Sequence, residues 1–220
     1  LIRKGVTMEL NKYIDHTVLK PDAKPADIEK LCDEARKNEF AAVCVNPVFV
    51  EQAAGLLQGS AVQIATVVGF PLGANTTKTK VDETLNAIEN GATEIDMVMA
   101  IGLFKAGKFD QVRNDITEVV KAAGTKPVKV ILETCLLTDQ EIAEASTMAA
   151  DSGAAYVKTS TGFSNGGATL EAVEIMKRAV GDRCKIKASG GIKTRDAAIM
   201  MVEAGAERIG TSSGVSLVNL

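Results

Sequence analysis

The segment NGATEID at residues 90–96 recurs in outline as SGAAYVK at 152–158 and AGAERIG at 204–210. Each copy places a turn glycine before a short, largely apolar run, and each follows a segment whose apolar residues have helical spacing. A glycine in this position ends a helix, and the apolar run after it is typical of a strand buried on both faces. The repeated unit is therefore a helix followed by a strand.

Similar units extend in both directions along the chain. Counting YIDHTVL at 13–19 as the first, eight short strand-like segments follow one another at roughly regular spacing, each followed by helix-like sequence. Pro25 suits the first turn of one helix, and Asn46 is placed to cap the next. Thr138 and Glu141 have the spacing of a capping box. This alternation requires parallel strands.

Eight such units in 220 residues predict an α/β protein with one compact (β/α)8 barrel, the TIM-barrel architecture. We interpret residues 1–220 as a single domain, with 1–7 as an N-terminal extension because the first methionine is Met8. A doubly wound open sheet is the alternative fold. It is weakened because no G-x-G-x-x-G turn follows the first strand.

The composition excludes several functional classes. Lys+Arg at 25 against Asp+Glu at 28 gives a net charge of −3, and the absence of a basic block argues against nucleic acid and anionic membranes as partners. No apolar run approaches the roughly 18 residues that span a bilayer, and the opening LIRKGVTMEL does not resemble a signal peptide, so a cytoplasmic location is expected. Four scattered cysteines and the single His16 predict neither disulfides nor a metal site.

The repeat also aligns candidate catalytic residues. Five residues past the turn glycine it places Asp96, Lys158 and Gly210, and the related NEFAAVC places Cys44. Lys187 has a near-equivalent position in the seventh strand. These positions lie at the C-terminal ends of strands, where active sites of such barrels are built.

Lys158 and Lys187 require an explanation because each stands in a mostly apolar strand. A single lysine of this kind is best interpreted as a charge that reaches water at the barrel mouth. Two lysines and Asp96 at matching depth instead predict a reactive amine. A second cation about 5 Å away would lower the pKa of the nucleophile by about two units at an effective dielectric of about 20. Alternatively, Asp96 bonds to backbone amides at its strand end.

Glycine-rich segments follow the last three strands, namely STGFSNGGAT at 160–169, ASGGI at 188–192 and GTSSG at 210–214. Their backbone amides can approach an anion, and Ser212 and Ser213 precede a short last helix. A phosphate site is predicted here, since the loops after strands seven and eight are its usual place. Tight turns alone would explain any one of these segments.

Other polar residues carry weaker signals. Asp15 is either a turn residue or a substrate contact, and Cys44 is either a buried apolar side chain or a substrate contact. His16 is expected in local packing or hydrogen bonding. Lys129 and Glu133 fall on one side of the fifth strand, and the sequence leaves open whether they form an inward pair.

The sequence resembles the deoxyribose-phosphate aldolase family over nearly its whole length. The motifs that carry the resemblance are YIDHTVLKP, VCVNP, VVGFPLGANTTKTK, EIDMV, KVILET, YVKTSTGF, KASGGI and IGTSSG. The resemblance implies a (β/α)8 class I aldolase that reversibly joins acetaldehyde and glyceraldehyde 3-phosphate into 2-deoxy-D-ribose 5-phosphate, in deoxynucleoside catabolism. It implies no metal or other cofactor and is compatible with a homodimer.

The same resemblance assigns roles to residues of this sequence. Lys158 would form the Schiff base, Lys187 would be the second lysine, and Asp96 would relay protons. Substrate contacts would come from Asp15, Thr17, Cys44 and Thr161, and phosphate contacts from Gly162, Gly190, Gly191, Ser212 and Ser213. The sequence departs from some members at Phe163, where they have a lysine.

Two other functions fit the same residues. One is a phosphate-binding barrel isomerase or epimerase that uses Asp96 as a base and a lysine as an electrophile, without a covalent intermediate. The other is a sugar-phosphate-binding protein without catalysis, because a fold alone does not determine function.

Overall fold

A computed structural model describes residues 8–219, in which eight parallel strands close into a barrel. The N-terminal extension predicted at 1–7 lies outside these residues. The strands are β1 (Ile14–Val18), β2 (Ala42–Val45), β3 (Gln63–Val68), β4 (Glu94–Val98), β5 (Val128–Ile131), β6 (Tyr156–Lys158), β7 (Lys185–Ser189) and β8 (Arg208–Thr211). They pair in chain order, and β8 closes on β1 with Ile209 opposite Ile14. The predicted (β/α)8 barrel is confirmed, and the open sheet was the wrong alternative.

Helices surround the barrel on its outside. They are α1 (Pro25–Lys37), α2 (Val50–Leu56), α3 (Thr77–Glu89), α4 (Ile101–Lys105), α5 (Phe109–Ala123), α6 (Asp139–Asp151), α7 (Leu170–Val180), α8 (Arg195–Glu203) and α9 (Gly214–Val218). Within residues 8–219, none of these helices has the length and apolar character needed to span a bilayer.

The predicted helix starts are mostly confirmed. Pro25 occupies the first turn of α1, and Thr138 forms a capping box with Glu141 at α6. Asn46 stands at the N-cap position with Pro47 directly after it, as predicted, but its side chain makes no capping hydrogen bond. Its side-chain amide instead donates to the Leu19 carbonyl oxygen at 3.2 Å, and a 3₁₀ turn at Pro47–Phe49 precedes α2. Asn46 therefore joins the loops that follow β1 and β2.

Alternation along the strands divides the barrel into an apolar outer layer and a charged interior. Ile95, Val130, Val157 and Ile186 belong to the apolar core that the helices complete. Their neighbours along the strands face inward and include many ionisable side chains. This division follows from the two-residue period of a strand, so one face can pack against helices while the other carries the site.

The segment after β3 is fixed to the end of β4 by a buried lysine. Lys80 of α3 lies with its Nζ 2.6 Å from Asp115 Oδ2 of α5, and it donates to the Val98 carbonyl oxygen at 2.9 Å. Gly73 has a φ of 68°, and a Cβ there would overlap the Met99 carbonyl oxygen. These contacts hold α3, α5 and the loop after β3 against the C-terminal end of the strand that carries Asp96.

We expect Lys80→Met to lower the free energy of unfolding by about 3–5 kcal/mol, because Asp115 would remain as a buried charge without its cation. Urea denaturation measures this change. The double variant Lys80→Met, Asp115→Leu removes both charges and should recover much of the loss. Equal losses in the single and double variants would contradict this assignment.

Candidate active site

A cavity of about 810 Å³ opens at the C-terminal end of the barrel. Loops that follow β1, β6, β7 and β8 form its wall. Its lining includes these residues predicted from the sequence: Thr17, Lys158, Thr161, Gly162, Gly190, Gly191 and Ser212. Lys20, Lys24 and Lys193 also line it, and sequence reasoning had not singled out these cations.

Lys158 lies at the bottom of this cavity with only 3% of its surface exposed. Its Nζ is 2.7 Å from Asp96 Oδ2, and Lys187 Nζ lies 2.7 Å from the same oxygen. The neighbouring strands β6 and β7 place the two lysines side by side, since Lys158 and Lys187 are direct partners in the register. The structure therefore brings together Asp96 and Lys158, which the repeat had aligned, and Lys187, which has a near-equivalent position.

Asp96 binds a third lysine through its other oxygen. Lys129 Nζ of β5 lies 2.6 Å from Asp96 Oδ1. Burial alone would raise the pKa of Asp96, but the ammonium groups of Lys129, Lys158 and Lys187 outweigh it and hold that pKa well below its usual range. Asp96 is therefore a persistent carboxylate at neutral pH.

The two neighbouring lysines have opposite protonation behaviour. Burial lowers the pKa of Lys158, and although Asp96 opposes this effect, the Lys187 ammonium adds to it. Burial also acts on Lys187, but the carboxylates of Asp15 and Asp96 overcome it and raise the pKa of Lys187. Lys158 is thus the lysine suited to lose its proton, and burial contributes more to this than the second cation that the sequence suggested.

Asp15 and Cys44 lie below or beside the reactive lysines and are absent from the cavity lining. Asp15 Oδ2 lies 2.5 Å from Lys187 Nζ, and its other oxygen accepts from Arg208. Cys44 packs in an apolar cluster, and burial raises the pKa of its thiol. Asp15 therefore supports Lys187, and neither residue has the direct access to the cavity that we expected of a substrate contact.

Lys129 and Glu133 do not form the inward pair that the sequence left open. Lys129 faces the barrel interior, whereas the buried Glu133 carboxylate accepts from the Thr161 backbone N–H at 3.2 Å and from the Thr161 hydroxyl. Glu133 has a φ of 58°, a backbone conformation that costs a non-glycine residue about 1–3 kcal/mol. The hydrogen bonds to Thr161 fix the Glu133 side chain in this position. Through them, Glu133 holds the loop after β6 against the end of β5.

The glycine-rich loops approach one another closely at the predicted phosphate end. A Cβ on Gly167 would overlap the Gly190 carbonyl oxygen, so only glycine permits this contact. Ser212 is exposed on the cavity wall. Ser213 is not part of that wall, and its backbone N–H donates to the Thr211 hydroxyl at 3.0 Å. Ser212 is thus better placed than Ser213 to meet an anion.

Sequence reasoning missed Glu94 and Arg208, which lie beneath the reactive residues. Each stands two positions before a residue that the repeat had aligned, Glu94 before Asp96 and Arg208 before Gly210. The two-residue strand period places both on the inward face, so the signal was present in the same repeat. His16, as expected, makes local contacts, with its Nε2 2.7 Å from Glu34 Oε2.

Residues 8–219 contain no group of three or more His, Cys, Asp or Glu side chains arranged to hold a metal ion. The chemistry that the described residues themselves offer is an amine of lowered pKa beside a persistent carboxylate and a second lysine whose pKa is raised. These features define a (β/α)8 barrel of the class that reacts with carbonyl compounds through a lysine amine.

Comparison with known proteins identifies the family within this class. The profile of the DeoC/LacD family aldolases matches residues 10–217, and the chain belongs to that family. It is 56% identical over 211 residues to a deoxyribose-phosphate aldolase of Brevibacillus brevis, with 96% of each chain covered.

Solved structures agree with this assignment. The structure is similar to that of QR15, an aldolase, with a TM-score of 0.93, 41% identity and coverage of 96% and 95% of the two chains. It is also similar to a deoxyribose phosphate aldolase from Aeropyrum pernix described as tetrameric, with a TM-score of 0.89, 34% identity and coverage of 95% and 89%.

We expect cyanate, a small amine reagent, to modify Lys158 faster than Lys187 or Lys129 at pH 8. The reason is that the pKa of Lys158 is lowered whereas those of Lys187 and Lys129 are raised. Peptide mass mapping across a pH series measures each rate, and the midpoint for Lys158 should fall below the value of about 10.4 for a free lysine. Equal modification of Lys158 and Lys187 would contradict the assignment.

Proposed function

We propose that this protein reversibly cleaves 2-deoxy-D-ribose 5-phosphate to glyceraldehyde 3-phosphate and acetaldehyde through a Schiff base on Lys158. One observation carries the proposal: Lys158, whose pKa is lowered, and Lys187, whose pKa is raised, share one oxygen of Asp96 at the cavity floor. The name of the Brevibacillus brevis relative supports this choice of substrate.

The reaction begins with the unprotonated Lys158 amine attacking the aldehyde carbon of the open-chain sugar, which gives a carbinolamine. Lys187 is the acid within reach, and it supplies the proton with which the carbinolamine hydroxyl leaves as water. The resulting iminium retains a positive charge close to Asp96. The carboxylate, 2.7 Å from Lys158 Nζ before reaction, stabilises that charge.

Cleavage breaks the bond between C2 and C3 of the sugar. A bound water hydrogen-bonded to Asp96 accepts the proton of the C3 hydroxyl as the C2–C3 electron pair moves into the iminium. Glyceraldehyde 3-phosphate then departs, and an enamine of acetaldehyde remains on Lys158. Protonation of that enamine at C2 and addition of water then release acetaldehyde. Because Lys158 and Lys187 share Asp96 Oδ2, protons pass between them and bound water by way of this carboxylate.

The phosphate binds at the end of the cavity formed by the glycine-rich loops. Backbone amides of Gly162, Gly190 and Gly191 and the Ser212 hydroxyl hold it there, and Glu133 keeps Thr161 and its loop in place. The lysines on the cavity wall attract the anion from solution. Phe163, which packs edge-on against Phe70 with ring centroids 5.2 Å apart, supplies an apolar wall where some relatives have a lysine.

The proposal includes a homodimer in the cytoplasm as the working form. A measurement of mass in solution distinguishes a dimer from a monomer and from the tetramer described for the Aeropyrum pernix protein.

Sodium borohydride with acetaldehyde should reduce the Schiff base and add a mass of two carbons to the peptide that contains Lys158. Mass spectrometry after proteolysis locates the label, and Lys158→Met should abolish it. An isomerase would convert substrate without becoming labelled, and a binding protein would do neither. Label on Lys187 alone, or no label, would exclude the proposed mechanism.

Ser212→Asp should lower kcat/KM for 2-deoxyribose 5-phosphate by about tenfold to a hundredfold, because a hydrogen bond to a charged group contributes roughly 1.5–3 kcal/mol and the new carboxylate repels phosphate. Cleavage of unphosphorylated 2-deoxyribose should change little. Ser164→Asp adds the same charge to an exposed loop residue off the cavity wall and serves as the control. An equal decrease for both sugars would place the phosphate elsewhere.

A further inference from the structure

Six buried charged side chains form a closed ring inside the barrel. Starting from Asp96, the contacts run through Lys129, Glu94, Arg208, Asp15 and Lys187, and then return to Asp96. Five strands contribute to this ring, namely β1, β4, β5, β7 and β8. Anions and cations alternate at every step.

The contacts of the ring are short. Lys129 Nζ lies 2.6 Å from Asp96 Oδ1 and 2.7 Å from Glu94 Oε2. Arg208 joins Glu94, at 2.5 Å, to Asp15. Each cation bridges two carboxylates, so three anions and three cations leave the ring with no net charge. The ring is therefore electrically complete without Lys158.

Lys158 binds this ring from outside, through Asp96 Oδ2. An ammonium group on Lys158 would add a buried charge that no carboxylate of the ring is left to balance, and unbalanced buried charge is costly. The neutral amine avoids that cost. The ring thus explains in structural terms why Lys158, rather than Lys129 or Lys187, is the lysine that loses a proton.

The other ionisable groups around Lys158 do not belong to the ring and leave its balance of three anions and three cations unchanged. The β2 thiol of Cys44 stays protonated because burial raises its pKa, and the inward β3 residues are apolar. Glu133, beyond β5, accepts from the backbone N–H of Thr161. The ring centroid of Tyr156 on β6 lies 5.9 Å from Lys129 Nζ and 6.0 Å from Arg208 Cζ. Lys185 and Glu207 form an exposed pair of their own.

We propose that Lys129, Glu94 and Arg208, none of which lines the cavity, are positioning residues that set the ionisation of Lys158 through the net charge of the ring beneath it. The two cations favour loss of the Lys158 proton, and Glu94 balances them so that the ring as a whole stays neutral. This inference rests on the proposed function for its meaning in catalysis. Its physical content, the ionisation of Lys158, can be measured without any turnover.

Two substitutions in the same buried contact should move the ionisation of Lys158 in opposite directions. Lys129→Met leaves three anions and two cations, so a protonated Lys158 restores balance and the pKa of Lys158 rises. Glu94→Gln leaves two anions and three cations, so that pKa falls. Each shift should be between about one and two pH units, as expected for one charge roughly 7–10 Å away at an effective dielectric of about 20.

The double variant Lys129→Met, Glu94→Gln removes one charge of each sign. The pH midpoint at which Lys158 ionises should therefore return to within a few tenths of a unit of that of the parent protein. The control is Lys80→Met, which breaks a buried ion pair outside the barrel interior. It should lower stability without moving the midpoint. A merely structural role for the ring would predict loss of stability in all the single variants and no opposed shifts.

The pH dependence of cyanate modification of Lys158, mapped by mass spectrometry, gives the midpoint for each variant. Glu94→Gln keeps a polar side chain with an oxygen beside Arg208, so this variant should still fold. The predicted decrease in the pKa of Lys158 in Glu94→Gln therefore decides the proposal even where Lys129→Met fails to fold. If the pH midpoint of Lys158 modification moved in the same direction in both single variants, or did not move in Glu94→Gln, the proposal that the ring sets the ionisation of Lys158 would be wrong. Because cyanate reports on the amine alone, failure of borohydride trapping in the parent would instead count against the proposed aldolase reaction.

Discussion

Three lysine side chains share one buried carboxylate at the centre of this barrel. Asp96 binds Lys129 through one oxygen and both Lys158 and Lys187 through the other. A carboxylate removed from water is stable only with such partners, and the three lysines are in turn stable there because of Asp96 and its neighbouring acids. The reactive amine, its acid partner and the charge beneath them therefore depend on a single side chain on β4.

Much of this arrangement could be predicted from the repeat in the sequence. The turn glycine and the run after it aligned Asp96 with Lys158 and placed Lys187 close by, because equivalent positions of parallel strands meet at one end of the barrel. The same register, continued two residues back, would also have found Glu94 and Arg208. The sequence therefore predicts a charged side chain inside the barrel wherever the alternation of a strand alone determines the direction of that side chain.

The remaining contacts depend on how the strands close. Asp15 and Arg208 are 193 residues apart in the chain and meet only because β8 pairs with β1. Glu133 turns away from Lys129 because its left-handed backbone directs the carboxylate towards Thr161, a conformation with no signature in sequence spacing. Ser212 and Ser213 differ in access to the cavity because of one turn bonded to Thr211.

The ring of charges also bears on how the barrel folds. Hydrophobic contacts are non-directional and tolerate partial structures, whereas an ion pair in a low-dielectric interior stabilises only when both partners are present. A half-formed barrel without β7 and β8 would retain Asp15 and Glu94 but lack Arg208 and Lys187. Such fragments leave buried acids without cations, so the ring favours all-or-none closure and disfavours open or mispaired sheets. The same charges that prepare one lysine for chemistry thereby make barrel formation cooperative.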